Sequence, residues 1–343
     1  MYLTASGTTP AIWKAFADIG LCGLLIDEAH GGMNATMVDA AVVLEELGRS
    51  AAPLPFCASA VTVSVLLREI GDVATLAHLG PQLCAGDIVT SLAAFEPGRQ
   101  YLWRRATTTA VRQSDGTSLL NGTKVHVLNG YDADLLFVTA TSGRDELGLF
   151  AIERLANGVT TTPEDHLDGS RKLATVEFED AVACPVLADS ASLLRALART
   201  FDATAIAHTM DAVGAGAVAL EMAVRYSQDR IAFDRPIGSF QAVQHLCADM
   251  LRAVELGRAA SLYACWAHDH ASIEEAHRAA MLAAAHCAQS FPGIGASAMQ
   301  IFGGVGFTWE HDIQLYYKRL VSAATLLGTS QDFLEELATL VIG

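Results

Sequence analysis

The sequence predicts an α+β fold in which a helical segment, a strand-rich segment and a second helical segment follow one another along the chain. The outer segments repeat their apolar residues at the spacing of an α-helix, whereas the middle segment carries short β-type runs. The last segment is also rich in alanine, which favours long helices. With 343 residues the chain is long enough for three domains. We expect them at residues 1–88, 89–190 and 191–343.

The first segment is predicted to be helical from residue 11 to about residue 86. Two apolar stripes, each on one face of a helix, carry this prediction. They consist of Ile12, Phe16 and Ile19 in one helix and of Met37, Ala40, Ala41, Leu44 and Leu47 in another. Gly31–Gly32 and Pro53–Pro55 are expected to form turns, because glycine and proline interrupt regular structure.

The middle segment, from about residue 88 to residue 189, is predicted to form strands. Its β-type runs and the separators between them are Val125 and Val127, Leu135–Ala140, Leu147–Ile152 and Ala174–Phe178, with Gly122, Asn129–Gly130 and Gly143. Short strands between regular turn signals are typical of an antiparallel sheet or barrel. We therefore expect a β-barrel-like middle domain.

The last segment is predicted to return to long helices. One covers about residues 202–228, a second begins near Gln241 and a third covers about residues 275–302. The apolar stripe of the second helix consists of Val243, Leu246, Met250 and Val254. Long helices of this kind indicate a four-helix bundle.

Composition and charge exclude several kinds of partner. Hydrophobic residues make up 52% of the chain and charged residues 17%, as expected of a subunit that buries further surface in an oligomer. The net charge of −16 would repel a phosphate backbone, so we expect no nucleic-acid partner. No run approaches a membrane span and no signal peptide is visible, so a cytoplasmic protein without membrane contact is expected. The seven scattered cysteines contain no Cys-x-x-Cys pair, which indicates reduced thiols and no metal site.

Two segments resemble a known family. Residues 229–249 read DRIAFDRPIGSFQAVQHLCAD and residues 299–310 read MQIFGGVGFTWE. In this order they resemble the acyl-CoA dehydrogenase family, with its Arg-x-x-Phe-(Gly)-x-x-Ile-x-x-x-Gln and Gln-Ile-x-Gly-Gly-x-Gly-(Phe/Tyr) segments. Weaker matches in family order are Gly20–Gly23, Asp27–Gly32, Glu46–Arg49, Glu96–Gly98, Asn121–Lys124 and Gly328–Gln331. An initial helix that is usual in the family has no counterpart.

The resemblance implies a fold, a cofactor and a reaction. The fold has an N-terminal α-helical domain, a middle β-barrel-like domain and a C-terminal four-helix bundle. The reaction is the α,β-dehydrogenation of an acyl-CoA thioester, in which a glutamate removes the α-proton and FAD accepts the β-hydrogen as hydride. Each FAD is shared across a dimer interface. One subunit holds the isoalloxazine ring and the acyl-CoA, and its neighbour holds the adenosine pyrophosphate.

The residues for the adenosine-pyrophosphate half are present. Arg230 matches the family arginine at the pyrophosphate, where a guanidinium forms a charge-assisted fork. The other matching residues are Phe233, Phe240, Gln241, Gln300 and Gly304. Ala232 departs from the family, which often has a polar residue there. The alternative is structural: Arg230 would cap a helix end and the glycines would only make a turn.

The isoalloxazine half departs from the family pattern. Phe95 replaces a threonine, and Arg99, Gln100 and Tyr101 replace a small Gly-Ser-Asp element. Leu128 replaces a hydroxyl residue that bonds the flavin, and an unpaired buried carbonyl costs about 1–3 kcal/mol. His126 stands where the family has a tryptophan wall, and we expect it to be packed or at the surface rather than catalytic.

The catalytic base is missing as well. Leu327 occupies the position of the family glutamate, and Thr204 occupies the position that carries the glutamate in a minority of members. Neither side chain can act as a general base. Asp202 would point away from the aligned position, and we expect it to be solvated. Ala205 stands where the family has an arginine on the CoA side.

One element of the isoalloxazine half is intact. Gly328–Gln331 matches the family, so Thr329 and Gln331 are further candidates for flavin binding. The same residues could equally begin a helix, with Thr329 or Ser330 as the capping side chain.

The pattern predicts a subunit that lacks the catalytic glutamate and completes a partner's FAD site. It resembles the non-catalytic type of subunit in the α2β2 acyl-CoA dehydrogenases of actinobacterial steroid and cholesterol catabolism, which act on steroid-derived CoA esters. The expected partner is a second acyl-CoA dehydrogenase-like chain that carries the glutamate and binds most of the acyl-CoA. Two alternatives remain: an active homotetramer with an atypical base, and a structural or regulatory homologue without flavin.

Overall fold

The structure, a computed structural model, follows the predicted order of helices, strands and helices. It describes residues 4–98, 103–143, 146–187 and 189–342. Internal contacts divide the chain into two compact units, which comprise residues 1–36 with 53–204 and residues 37–52 with 205–343. The first unit combines N-terminal helices with the strand segment. The division into three domains at residues 1–88, 89–190 and 191–343 stays a prediction.

The α-helices of the described residues vary widely in length. They are α1 (Pro10–Asp18), α2 (Met37–Arg49), α3 (Ser64–Ile70), α4 (Val73–Cys84), α5 (Ser190–Asp229), α6 (Gln241–His270), α7 (Ile273–Phe302), α8 (Ile313–Ala323) and α9 (Ser330–Ile342).

In the first unit, α1 begins at Pro10 behind Thr9, whose hydroxyl accepts from the Ile12 N–H. A buried π-helix at Phe56–Val63 leads directly into α3. Gly31 ends a short helix at a φ of 90°, so a predicted turn is confirmed.

The strands of the first unit form one sheet that closes on itself. They are β1 (Thr90–Ala93), β2 (Thr109–Arg112), β3 (Ser118–Leu128), β4 (Leu135–Thr141), β5 (Leu147–Glu153), β6 (Val159–Pro163) and β7 (Leu173–Leu187). The pairings run β4–β2–β3–β7–β5 and return from β5 to β4, with β1 added to β4 and β6 added to β7. The predicted barrel is therefore confirmed, and its interior is apolar.

The sheet differs from the prediction in strand direction. Both β1 and β2 pair with β4 in parallel, whereas the other pairs are antiparallel. Neighbours that no hairpin joins can run parallel, and the local alternation of apolar residues does not report direction. Strand β3 is also irregular: its register with β7 shifts beside Gly122 and again between Lys124 and Val127. The second shift places His126 at a φ of 54° and re-aims its side chain.

The second unit is a helical bundle formed by α2, the part of α5 from Ala205 onward, and α6–α9. The predicted start of α6 at Gln241 and end of α7 at Phe302 are confirmed. Helix α5 begins at Ser190, well before the predicted residue 202. Helices α2 and α5 touch through their backbones. A Cβ atom on Gly48 would lie 1.9 Å from the Asp211 carbonyl oxygen.

A buried ion pair fastens α8 to α5 within this unit. Arg319 donates to both carboxylate oxygens of Asp211, from Nε at 2.9 Å and from Nη2 at 2.5 Å. The guanidinium also donates to the Ala52 carbonyl at 3.2 Å. A two-point contact of this kind fixes orientation as well as distance. The bundle core around it is otherwise apolar.

We expected no run of the sequence to approach a membrane span, and helix α5 shows that this expectation is wrong. It is long and apolar enough to cross a membrane by length and composition, with a mean hydropathy of 1.2 in its most apolar window. Of that window, 94% is buried inside the protein. The apolar character of α5 is therefore accounted for by its place in the core.

Candidate functional site

The first site segment is a short hairpin at the end of α5. Strand β8 (Ile231–Ala232) pairs with strand β9 (Arg235–Pro236), and Phe233 and Asp234 form the two-residue turn between them. Both turn residues have positive φ angles, 53° and 60°. Non-glycine residues seldom adopt this conformation, because the Cβ atom crowds the backbone. The hairpin therefore holds two side chains in a strained, outward-facing turn.

Arg230 stands at the base of this hairpin. Its N–H donates to the Tyr226 carbonyl at 2.9 Å, and its carbonyl accepts from the Ile237 N–H at 2.9 Å. The side chain is exposed, and within the described part of the chain no hydrogen bond or ion pair engages its guanidinium. The structural alternative, in which Arg230 caps the end of α5, therefore finds no contact in its favour. The cation is available to a ligand.

Aromatic side chains follow the arginine. Phe233 is 88% exposed, and its ring meets the ring of Phe240 edge-on at 6.1 Å. The Arg235 guanidinium lies over the Phe240 ring, 4.1 Å from its centroid. Gln241 is exposed and opens α6 directly after Phe240. An exposed aromatic residue with a free cation beside it suits a planar, anionic ligand.

The second site segment lies at the end of α7. Gln300 is exposed in the last turn, and Gly303 ends the helix at a φ of 61°. A Cβ atom added to Gly304 would meet no atom of the chain within 4 Å. Internal packing therefore does not require a glycine there, and the open space leaves room for a ligand or another chain.

The two segments belong to one end of the bundle. The Tyr226 ring on α5 contacts the Phe302 ring on α7, with centroids 4.4 Å apart. Tyr226 lies one turn before Arg230, and Phe302 lies two residues after Gln300. The free cation, the exposed aromatics and the open glycine together fit the adenosine-diphosphate part of FAD. They include no group that would contact the redox-active ring.

The position of the family base is apolar. Leu327 lines a small pocket of about 20 Å³ in the second unit, beside Phe333 and Cys287. The other lining residues are Ala205, His208, Thr209, Ala212, Ala284 and Ala323. Burial raises the pKa of the Cys287 thiol to about 12, because the surroundings of this thiol disfavour its charged form. A pocket of this size holds about one water molecule and no acyl chain.

The intact Thr329 serves its own helix. Its hydroxyl donates to Asp332 Oδ2 at 2.6 Å, and its backbone N–H donates to the same oxygen at 2.7 Å. The Asp332 N–H returns a bond to the Thr329 hydroxyl at 3.3 Å, which completes a reciprocal cap for α9. Gln331 is exposed and donates to Glu335 at 2.9 Å. These contacts match the capping alternative, and flavin binding by Thr329 and Gln331 stays a prediction.

The second position that matches a family base is taken by Thr204, whose hydroxyl is bonded within the fold. Thr204 is buried in the first unit, where its hydroxyl donates to the Thr200 carbonyl at 2.7 Å and shares a bond with Thr62 at 2.9 Å. Asp202 is only 2% exposed, so the expectation that it is solvated is wrong. Its burial arises from packing within this unit, which helical periodicity alone does not reveal.

The residues at the predicted isoalloxazine positions face their own neighbours. Phe95 is buried against Phe201, with ring centroids 5.4 Å apart, and Trp103 stacks on the same Phe201 at 5.0 Å. Leu128 is half-buried, and its carbonyl accepts from Ser91 at 2.6 Å. Arg99, Gln100 and Tyr101 lie outside the described residues.

His126 is held by a carboxylate. The His126 ring Nδ1 lies 2.7 Å from Glu164 Oε2. The His126 backbone N–H donates to Glu164 Oε1 at 2.8 Å. The hydrogen bond to Glu164 raises the pKa of His126. Burial would raise the pKa of Glu164, but the bonds from His126 and Thr175 outweigh it and lower the pKa to about 2. His126 is thus packed against a carboxylate, and its lack of a catalytic role stays a prediction.

Glu96, part of a family match, is buried within the first unit. It accepts from Lys124 Nζ at 2.8 Å, and both side chains are buried. Burial would raise the pKa of Glu96, but Lys124 and hydrogen bonds from Thr107 and Thr108 lower it to about 2. Burial lowers the pKa of Lys124 to about 8, against the opposing effect of Glu96. The pair joins two matched segments as a structural link.

Sequence reasoning overlooked three residues of these sites. Phe333 fills the pocket beside Leu327, Trp103 extends the ring cluster, and Arg235 lies on Phe240. Only Arg235 carried a signal, because a second arginine follows Arg230 within the same motif. The other two are brought in by tertiary packing.

Comparison with known protein families covers most of the chain. The N-terminal, middle and C-terminal domain models of acyl-CoA dehydrogenase match residues 2–87, 91–181 and 194–339. The chain is 30% identical to acyl-CoA dehydrogenase IpdE2 of Mycolicibacterium smegmatis over 332 residues. That alignment covers 96% of this chain and 88% of the relative.

Solved structures share the fold. A steroid acyl-CoA dehydrogenase variant named Tcur3481-Tcur3483 superposes with a TM-score of 0.88 at 25% identity, over 99% of this chain and 91% of the other. Butyryl-CoA dehydrogenase from Megasphaera elsdenii superposes with a TM-score of 0.90 at 21% identity, over 97% of this chain and 90% of the other. These likenesses confirm the predicted fold class.

Proposed function

The chain belongs to the acyl-CoA dehydrogenase family, and we propose that it is the non-catalytic subunit of a hetero-oligomeric, FAD-dependent member. In this proposal it supplies the adenosine-pyrophosphate half of a partner's FAD site. The cofactor contacts would be Arg230, Phe233, Phe240, Gln241, Gln300 and Gly304. The partner would supply the catalytic glutamate, the isoalloxazine pocket and most of the acyl-CoA groove.

The observation that carries the proposal is the contrast between Leu327 and Arg230. Leu327, which matches the family base in sequence, lines a pocket of about 20 Å³ beside Phe333. Arg230 lies where the family binds pyrophosphate, exposed and without a partner in the described chain. At the matched base position the described chain packs its own side chains, whereas at the matched pyrophosphate position the arginine stays exposed. A subunit that serves another chain's cofactor needs only the second half.

The retained residues bind rather than react. Arg230 would neutralise charge on the diphosphate, since a guanidinium and a phosphate form short charge-assisted bonds. Phe233 and Phe240 would give the adenosine a flat apolar surface, and the open Gly304 would let the backbone approach it. When bound, FAD supplies the hydride acceptor for α,β-dehydrogenation. Removal of the α-proton would fall to the partner's glutamate, because neither Leu327 nor Thr204 can accept a proton.

We further propose an α2β2 assembly with two FAD and a steroid-derived CoA ester as substrate. The structural neighbour named as a steroid acyl-CoA dehydrogenase supports this, since its name joins Tcur3481 and Tcur3483. Exposed apolar side chains in the bundle, such as Leu256 at 53% and Trp266 at 47%, provide surface for such contacts. None of the seven cysteines, all of which lie in the described part of the chain, is joined in a disulfide, which supports a reducing, cytoplasmic location.

Coexpression tests the assembly. The full chain would be produced alone and together with a dehydrogenase-like chain that has a glutamate before its Gly-Thr, and the products weighed by native mass spectrometry. We expect a yellow α2β2 complex that turns over acyl-CoA, and an inactive, colourless or poorly soluble chain alone. A chain that is a stable monomer at micromolar concentration, or an active homotetramer, would overturn the proposal.

A further inference from the structure

We propose that Arg235 is a second cofactor-binding residue, and that Arg230 and Arg235 form a two-cation clamp for the diphosphate of a nucleoside diphosphate group. The inference rests on the proposed function and adds to it a residue and a recognition chemistry. The clamp is built on the hairpin of β8 and β9.

The register of the hairpin puts both arginines on one face. Ala232 lies opposite Arg235, and the bond from the Ile237 N–H to the Arg230 carbonyl continues the ladder. Residues directly opposite each other project to the same face, and successive residues alternate. Arg230 and Ala232 therefore share their face with Arg235. Diagonal neighbours of this kind lie about 7–8 Å apart, within reach of one diphosphate.

The charges on this face are unbalanced. Asp229 and Asp234 stand next to the two arginines in sequence, but no ion pair joins them to either guanidinium in the described structure. Both Arg230 and Arg235 are exposed, and neither makes an ion pair within the described part of the chain. Two like charges on one small hairpin repel each other. A diphosphate, with negative charge on each of two linked phosphates, would pair both cations and remove that repulsion.

The second cation is already positioned. The Arg235 guanidinium lies 4.1 Å from the centroid of the Phe240 ring, and Phe240 is half-buried at the start of α6. A cation over an aromatic face is held by electrostatic attraction, so less of its freedom is lost on binding.

Ala232 completes the geometry. It lies directly opposite Arg235 and two residues after Arg230, and its side chain is a single methyl group. A larger polar residue, which the family often has there, would occupy the space between the cations. The departure at Ala232 and the presence of Arg235 are thus explained together. The site fits two linked phosphates better than one.

Calorimetric titration of ADP and AMP tests the clamp, with the flavin-free complex that the full chain forms with its partner. ADP presents two phosphates on the same nucleoside, and AMP presents one. We expect Arg235→Ala to weaken ADP binding about tenfold and AMP binding much less, a difference of about 1.4 kcal/mol. Arg235→Lys keeps the charge and should recover part of the loss. Arg252→Ala is the control, because Arg252 is exposed on α6 and pairs with Asp249.

The outcomes separate the clamp from the proposed function. If Arg230→Ala weakens ADP binding and Arg235→Ala does not, the clamp is wrong and the half-site proposal stands. If neither variant weakens ADP binding, the half-site proposal fails with it. If Arg235→Ala weakens ADP and AMP equally, Arg235 contributes only general positive charge, and the two-phosphate reading is wrong. Unchanged far-ultraviolet circular dichroism would show that the exposed hairpin variants remain folded.

Discussion

Lys124 donates a hydrogen bond to Glu96 at 2.8 Å, and both side chains are almost wholly excluded from water. The carboxylate also accepts from the Thr107 and Thr108 N–H groups at 2.6 and 2.8 Å, and Lys124 reaches the Thr139 hydroxyl at 3.2 Å. Every charge of the pair is therefore satisfied internally. The Glu96–Gly98 and Asn121–Lys124 matches to the family are joined by this contact.

Removing one member of the pair should destabilise the fold strongly. In Lys124→Met the Glu96 carboxylate stays buried without its cation, which costs about 3–5 kcal/mol. Urea unfolding of the full chain in its complex measures this loss. The double variant Lys124→Met with Glu96→Gln removes both charges and should recover most of the stability. A single Lys124→Met variant within about 1 kcal/mol of the wild type would show that the pair does little for the fold.

The contact between His126 and Glu164 should be visible as a titration shift. The folded-state pKa of His126 lies above its usual 6.5, so its stabilising contribution is complete below pH 6.5 and is lost as the pH rises through the raised value. The stabilising contribution of Glu164 is present above pH 4.5 and is lost as the pH falls through about 2. Glu164→Gln should return the His126 pKa toward 6.5 in a histidine NMR titration. No change in that variant would argue against the contact.

Thr329 should matter for stability and not for flavin. Thr329→Ala removes the cap of α9 and should cost about 1 kcal/mol. Ser330→Ala, one residue later and without the reciprocal bonds to Asp332, is the matched control. Thermal unfolding and flavin titration of the complex would be measured for both. A Thr329→Ala variant that keeps its stability but releases flavin would mean that this subunit retains a flavin-ring contact.

Leu327→Glu restores a carboxylate at the family position and should add no activity. The side chain would enter a mostly apolar pocket of about 20 Å³ beside Phe333 and Cys287, where burying a charge costs about 1–3 kcal/mol or more. Leu327→Met keeps the volume and should change stability by less than about 1.5 kcal/mol. Dye-coupled turnover and urea unfolding of the complex measure both effects. A gain in turnover with Leu327→Glu would reveal a working flavin pocket in this subunit.

The bundle was largely predictable from the sequence, because its signals are local and repeat along each helix. Helix α6 begins at Gln241 as predicted, and α7 begins at Ile273, behind the Ser272 cap that bonds the Glu275 N–H. Periodicity did not predict what depends on distant neighbours. Asp202 is buried, and β1 runs parallel to β4, because tertiary packing decides both.

Of the candidate site, too, the sequence predicted the local motifs but not the packing around them. The Arg230 and Gln300 motifs were found from the chain alone, since a ligand site at helix ends leaves a short, continuous pattern. The pocket at Leu327 was not described in advance, because Phe333, Cys287 and Ala212 reach it from three different helices. The prediction of a missing base rests on one position, Leu327. The packing that replaces it is a property of the fold.

The measurement that tests the half-site account most directly is the number of FAD molecules per chain. Flavin absorbance and protein mass would be determined for the full chain alone and for its complex with the partner. The account predicts one FAD for each pair of unlike chains in the complex, and none bound to this chain alone. One FAD per chain in a preparation of this protein alone would contradict it, because the isoalloxazine half that we describe as filled would then be functional.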